Sequence, residues 1–365
     1  MSAGIEIQII AVLTAVACAL PGVFLVLRKM SMMSDAITHT ILLGIVLGFF
    51  VTQDLSSPVL LLGAALIGVI TVWLTELTAK TRLVSEDSAI GLIFPLLFSV
   101  AIILISRYAG SVHLDTDSVL LGELAFAPFE RMVVLGIDIG AKGMYTGGVI
   151  LLLNILFIGI FFKELKLVTF DPILSAVIGF SPAVFHYSLM GMVSLTTVGA
   201  FEAVGSVLVV AFMIAPPATA YLLTDDLKKM IGLTAGFAAV SAIVGYQLAV
   251  YLDVSIAGSM AVTTGIIFML VFFLAPKRGF FADIVKKKKQ KEYFAENAFL
   301  LQIDSGVNAM ERAAVTSKRE KKIMADLRQK NWIVGEEKYA LTAEGIQQVE
   351  SIKKEWFPGF QNQEN

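Results

Sequence analysis

Apolar residues run in long blocks along this chain, separated by charges, Pro and Gly. Several blocks reach the roughly 20 residues that a helix needs to cross a bilayer. A helix can stand there because it bonds its own backbone N–H and C=O groups where no water is available. The pattern predicts spans over roughly 7–27, 36–52, 58–79, 88–106, 144–162, 183–201, 203–223, 230–251 and 256–275. The stretch 118–140, with Pro128, Glu130 and Arg131, is more polar and reads as a re-entrant or interfacial helix. The expected fold is an all-α polytopic membrane protein of eight or nine transmembrane helices.

Composition agrees: 57% of residues are hydrophobic and only 16% charged, which removes ordinary water-soluble classes from consideration. The net charge of −2 hides an asymmetry, because 17 of the 28 Lys and Arg lie from Lys277 onward. An apolar body is therefore followed by a basic, polar tail. A single cysteine, Cys18, excludes an intrachain disulfide and a thiolate zinc cluster. The first block lacks a basic leader and a small-residue cleavage site, so it is expected to remain as a helix.

Basic residues select the cytoplasmic side of a membrane protein. Arg28-Lys29, Lys80 with Arg82, Lys163 with Lys166, Lys228-Lys229 and Lys277-Arg278 fall at alternate span ends. One orientation places all five groups inside, with Asp54, the 113–117 loop and Asp253 outside. It implies nine crossings, an outer N-terminus and a cytoplasmic C-terminus.

Ionisable residues at membrane depth are costly and are read first as functional. Asp35 and His39 lie four residues apart in an apolar run, which stacks them one turn apart on one helix face. A carboxylate oxygen and an imidazole nitrogen together suit a divalent transition metal. The competing reading has Asp35 capping backbone amides near Ser34, with His39 satisfied by a carbonyl. Two donors fall short of the six or so that manganese or iron commonly takes, so further ligands are needed. Glu202, a charge between two long apolar runs, is the leading candidate; a helix-junction carboxylate facing water is its alternative. Glu123 and Glu76 rank lower, and Glu76 is explained by an i,i+4 pair with Lys80. His113, Asp115 and Asp117 form an outer acidic loop that is either solvated or attracts cations. His186 beside Tyr187 reads as an interfacial anchor. Gly44 and Gly48 form a GxxxG pattern after the pair, a signature of close helix packing of the kind that encloses a polar pair.

The chain contains no Gly-x-x-x-x-Gly-Lys-Ser/Thr phosphate loop, so it is not expected to hydrolyse ATP. Asp171-Pro172 starts a short cytoplasmic helix well, Asp as cap and Pro in the first turn. Gly179 and Pro182 end it. Gly205 and the pair Pro216-Pro217 are helix breakers at membrane depth, expected where backbone lines a cavity.

Four stretches resemble the permease subunit of bacterial ABC importers for manganese, iron or zinc. They are Leu27-Arg-Lys-Met-Ser-Met-Met-Ser-Asp-Ala-Ile-Thr-His39, Ser85-Glu-Asp-Ser-Ala-Ile-Gly91, Phe170-Asp-Pro-Ile-Leu-Ser-Ala-Val-Ile-Gly179, and the run from Ala203 to Tyr221. The resemblance implies that Asp35 and His39 coordinate an ion in transit, and that Asp171, Pro172, Ile173, Leu174 and Gly179 belong to a helix that couples to an ATPase. It implies a cytoplasmic ATPase dimer, a second permease subunit (a copy or a relative), an extracellular metal-binding lipoprotein, and a bacterial cytoplasmic membrane. No permanent cofactor is expected, only transported Mn²⁺, Fe²⁺ or Zn²⁺. Carboxylate–imidazole coordination favours manganese or iron. Competing functions are a membrane-bound metal sensor with the tail as output, and an ion-coupled secondary carrier.

The expected domains are a transmembrane permease over 1–280, a basic juxtamembrane linker over 281–292 and a soluble cytoplasmic extension over 293–365. Lys286–Lys289 suits anionic headgroups of the lipid bilayer. Beyond it, a helical pattern over 311–329, a hairpin over 332–341 and a helix from Thr342 resemble a winged helix. Its basic residues are mixed with Glu311, Glu320, Glu336 and Glu337, so nucleic acid is not the expected partner.

Overall fold

The computed structural model describes residues 3–54, 57–108, 124–134, 137–305, 318–335 and 339–356. The first part of the chain contains α1 (Ala3–Leu27), α2 (Ser31–Thr52), α3 (Pro58–Lys80), α4 (Glu86–Tyr108), β1 (Arg131–Val134), β2 (Ile137–Ala141), α5 (Lys142–Ile160), α6 (Phe162–Phe170), α7 (Pro172–Val177), α8 (Pro182–Leu223), α9 (Leu227–Leu252) and α10 (Ile256–Leu274). Nine segments among the described residues are long and apolar enough to span, with α8 counted as Pro182–Phe201 and Ala203–Leu223.

The division of α8 follows from one glycine. A straight helix of its 42 residues would be about 63 Å long, twice a hydrocarbon core. Gly205 breaks it, with φ 77° and ψ 167°, a conformation that glycine adopts without a Cβ penalty. Leu189 and Ala220, which a straight helix would hold about 46 Å apart, meet in one buried cluster with Phe24 and Leu165. The chain therefore doubles back at Gly205. Pro216 and Pro217, expected to break the helix, are carried within it instead.

The polar stretch expected as a re-entrant or interfacial helix is a β-hairpin over its described part. β1 and β2 pair antiparallel, Val133 opposite Asp138 and Val134 opposite Ile137. Arg131 ties the hairpin to α1 by an ion pair to Glu6 and pairs within the hairpin with Asp138, both at 3.3 Å. The buried Glu6 charge is thereby matched. Two-residue alternation there is too short and irregular to stand out in a hydropathy pattern.

Packing in the bundle depends on small residues and on hydroxyls bonded to backbone. At Gly44 an added Cβ would lie 2.5 Å from Ala64 Cα and from the Gly63 carbonyl, so α2 and α3 touch backbone to backbone. Thr71 donates to Thr40 across the same seam at 2.9 Å, and Ser194 donates from α8 to the Ala65 carbonyl. Pro21, inside α1, removes the N–H that would bond the Ala17 carbonyl. Asn154, buried on α5, supplies the replacement at 3.1 Å and also donates to Thr196 at 2.8 Å. One side chain thus satisfies a proline defect and joins α1, α5 and α8.

The chain divides into two compact units, Met1–Gly279 and Phe280–Asn365. The second contains α11 (Phe280–Asp304), α12 (Lys318–Gln329), β3 (Ile333–Val334), β4 (Ala340–Leu341) and α13 (Ala343–Trp356). Residues 281–292, expected as a linker, lie within α11. Leu300, Leu327, Ile333, Val349 and Ile352 form its own core. Thr342 accepts the Gly345 N–H at 3.0 Å, the cap expected for α13, and β3 pairs with β4 as a hairpin.

Two substitutions test this packing in detergent-solubilised protein. Gly44→Leu forces α2 from α3 and is expected to cost at least about 2 kcal/mol. Asn154→Leu leaves the Ala17 carbonyl unpaired in the bundle and is expected to cost about 1–3 kcal/mol. Both lower the thermal midpoint; an unchanged midpoint contradicts the assigned contacts.

Candidate metal-transport site

Asp35 and His39 occupy the second and third turns of α2. The helix begins at Ser31 after Met30 and has no side-chain cap, so Asp35 lies inside it and the capping alternative does not hold. Residues Met33, Ala36, Ile37, Thr40, Ile41 and Gly44 form the buried face against α3 and α8. Asp35 and His39 fall on another face, 40% and 31% exposed. Close packing at Gly44 therefore does not enclose them within this chain. The His39 ring is held by α4, stacked on Phe94 with centroids 5.5 Å apart and edge-on to Phe98 at 6.1 Å.

Asp35 Oδ1 and His39 Nε2 are 3.6 Å apart, too far for a hydrogen bond. Both atoms thus remain free to take a third partner. An ion at about 2.1–2.2 Å from each would subtend roughly 110°, which fits a shared metal. No group of three His, Cys, Asp or Glu is gathered among the described residues, so this pair is a partial site, open on the side away from its own bundle. The Glu202 side chain, Glu123, His113, Asp115 and Asp117 lie outside what is described.

Two other readings change. Glu76 does not serve simply as a surface partner of Lys80: His186 Nε2 abuts its Oε1, and the Tyr187 hydroxyl donates to its Oε2 at 2.8 Å. His186 is accordingly only 16% exposed at the side chain and faces Arg28 through its other nitrogen, at 3.2 Å. An interfacial anchor would not be so enclosed. The sequence carried no signal for these long-range partners.

The segment after α6 folds as its local signals predict. Asp171 Oδ1 accepts the Leu174 N–H at 2.8 Å, Pro172 opens α7, and Gly179 follows with φ +99°. Ile173 and Val177 are 78% and 79% exposed, and Leu174 and Ile178 are also exposed. This short helix shows an apolar surface beside the basic end of the bundle. Arg28 bonds Thr169 there at 3.1 Å, Lys166 and Lys228 line a cavity of about 630 Å³ with Asp225 and Asp226, and Arg278 pairs with Asp225. Asp226 caps α9, accepting the Lys228 and Lys229 N–H groups; the Lys229 amide chiefly holds its carboxyl below the usual range. Burial pushes Arg28 down to about 10, still charged at neutral pH.

Spanning helices, an open carboxylate–imidazole pair and a short capped helix are together consistent with a membrane transport permease. The chain belongs to the ABC 3 transport family, whose model matches residues 5–275. It is 50% identical over 274 residues to the zinc transport system membrane protein TroD of Treponema pallidum, covering 75% of this chain and 74% of that one. It is 45% identical to the manganese transport system membrane protein MntD of Bacillus subtilis, covering 73% and 90%. Among solved structures it is similar to PsaBC from Streptococcus pneumoniae in complex with Fab, at 30% identity and a TM-score of 0.64, covering 76% of this chain and 94% of that one.

Because Asp35 leaves the bundle's packing to other residues, Asp35→Ala is expected to change stability by no more than about 0.5 kcal/mol, and His39→Ala, which loses the ring contacts to Phe94 and Phe98, by no more than about 1.5 kcal/mol. Thermal melting of the purified variants checks this; a large loss shows the pair to be structural.

Proposed function

We infer that this chain is the membrane permease subunit of an ATP-driven importer of divalent transition-metal ions. Its relatives in the same family are named for manganese and zinc transport. The observation that carries the reading is the Asp35/His39 pair: two free donors 3.6 Å apart on an uncovered face of a spanning helix. A second permease subunit brought against that face supplies the cover and further donors, with Glu202 the leading candidate from this chain. Loose, shared coordination suits a carrier, because an ion gripped by a complete site in one chain leaves slowly. A carboxylate–imidazole pair without sulfur favours manganese or iron over zinc.

Energy enters through a cytoplasmic ATPase dimer. The exposed apolar face of α7, with Ile173, Leu174 and Val177, fits a groove on that partner, and the Asp171 cap and Gly179 stop hold the segment in one shape. The five basic groups at this end support a cytoplasmic side for it. Nine spans then put the N-terminus outside, where a metal-binding lipoprotein delivers the ion, and the C-terminal unit inside. ATP binding and hydrolysis rock the two permeases so that the pair faces each side in turn. The C-terminal unit serves as a regulatory or accessory module, since the family match ends at residue 275.

Vesicles holding the whole assembly test this. Asp35→Ala is expected to reduce Mn²⁺ uptake by at least about tenfold, the scale of losing even an indirect metal partner, with normal insertion. Undiminished uptake removes the pair from the path. Ile173→Asp is expected to release the ATPase on purification; an intact complex means that α7 is not the docking element.

A further inference from the structure

Arg28, Thr169, His186, Glu76 and Tyr187 form a polar chain that neither metal binding nor α7 docking accounts for. Its hydrogen bonds run from Arg28 to Thr169 and His186 and from Tyr187 to Glu76, and a close His186–Glu76 contact joins the two parts. Arg28 only donates: its Nε–H goes to Thr169 Oγ1 at 3.1 Å, and its Nη1 reaches His186 Nδ1 at 3.2 Å. Nδ1 must therefore be the acceptor, which leaves the imidazole proton on Nε2, facing Glu76 Oε1. The other carboxylate oxygen accepts from the Tyr187 hydroxyl at 2.8 Å. A neutral imidazole thus bridges a guanidinium to a carboxylate, and the two charges balance.

The segments joined are specific. Thr169 lies just before α7, and His186 and Tyr187 lie shortly after it. Both flanks of the docking segment are thereby tied to Arg28, which ends α1 immediately before α2, and His186 and Tyr187 to Glu76 on α3. Helix α3 in turn touches α2 backbone to backbone at Gly44, and α2 carries Asp35 and His39.

We propose that this chain is a strut that transmits movement of the ATPase-docking segment to the metal-bearing helix, with Arg28, His186 and Glu76 as positioning residues. The inference rests on the docking reading of α7. Severing the strut leaves the ion site and the ATPase contact intact and breaks the link between them.

The test uses the complete assembly in vesicles, reading Mn²⁺ transported per ATP hydrolysed, the KM for Mn²⁺ and copurification of the ATPase. His186→Ala is expected to lower the transport-to-hydrolysis ratio about tenfold, with KM and copurification unchanged. His186→Gln, whose amide can accept from Arg28 and donate to Glu76, is expected to restore the ratio to within about twofold. Thr169→Val, nearly isosteric, is expected to lower it as alanine does at 186, and carries the test if His186→Ala does not assemble. A wild-type ratio in the alanine variant, or in Thr169→Val, overturns the strut; so does an equal loss in His186→Gln. Failure of the docking reading is distinct, appearing as an intact complex in Ile173→Asp.

Discussion

Hydrogen-bond satisfaction away from water governs this molecule more than any single contact. In the bilayer an unpaired amide, carbonyl or carboxylate has no solvent to turn to, so leaving a polar group unanswered within the bundle is costly. Asn154 shows this directly. Pro21 deprives one carbonyl of its helical donor, and a buried amide from another helix fills the place. Thr71, Ser194 and Thr264 bond carbonyls of spanning helices in the same way, whereas the buried hydroxyls of Thr75, Thr197, Thr234 and Ser241 find no partner among the described residues.

Against that background, polar groups that are not answered acquire meaning. Glu6 is matched by Arg131, and Glu76 by His186 and Tyr187. Asp35 and His39 have neighbours but not each other: their nearest donor atoms stay at 3.6 Å with the ring fixed by two phenylalanines. The same chemistry, a carboxylate near an imidazole, occurs twice among the described residues and does two different things. At Glu76 the pair is closed and neutralised by Arg28, which suits a mechanical link. At Asp35 it is open, with no Lys or Arg paired to it among the described residues, which suits a passing metal ion.

Much of this was legible in the sequence, for physical reasons. Span lengths follow from apolar blocks, since bilayer thickness sets one scale for all of them; the expected 88–106 and 256–275 appear as Glu86–Tyr108 and Ile256–Leu274. The Asp171 cap and the β3–β4 hairpin are local and were readable. The Asp35/His39 juxtaposition follows from helical spacing alone. What escaped is non-local. Pairing of Glu76 with His186 and of Asn154 with Ala17 depends on which helices become neighbours, and hydropathy does not specify that. The β1–β2 hairpin was hidden because four or five residues beside a proline-containing turn carry no strong period. Gly205, Pro216 and Pro217 were all read as helix breakers; the fold bends at Gly205, where positive φ is available without strain, and carries both prolines within α8.

The account stands on direct coordination of the ion by the α2 pair. Electron-spin-echo spectroscopy of Mn²⁺ bound to the assembled transporter, with histidine labelled by ¹⁵N, measures this. Coupling to one imidazole nitrogen per chain that disappears in His39→Ala is the predicted result. A bound Mn²⁺ with no nitrogen coupling, or with coupling that survives that substitution, would contradict it.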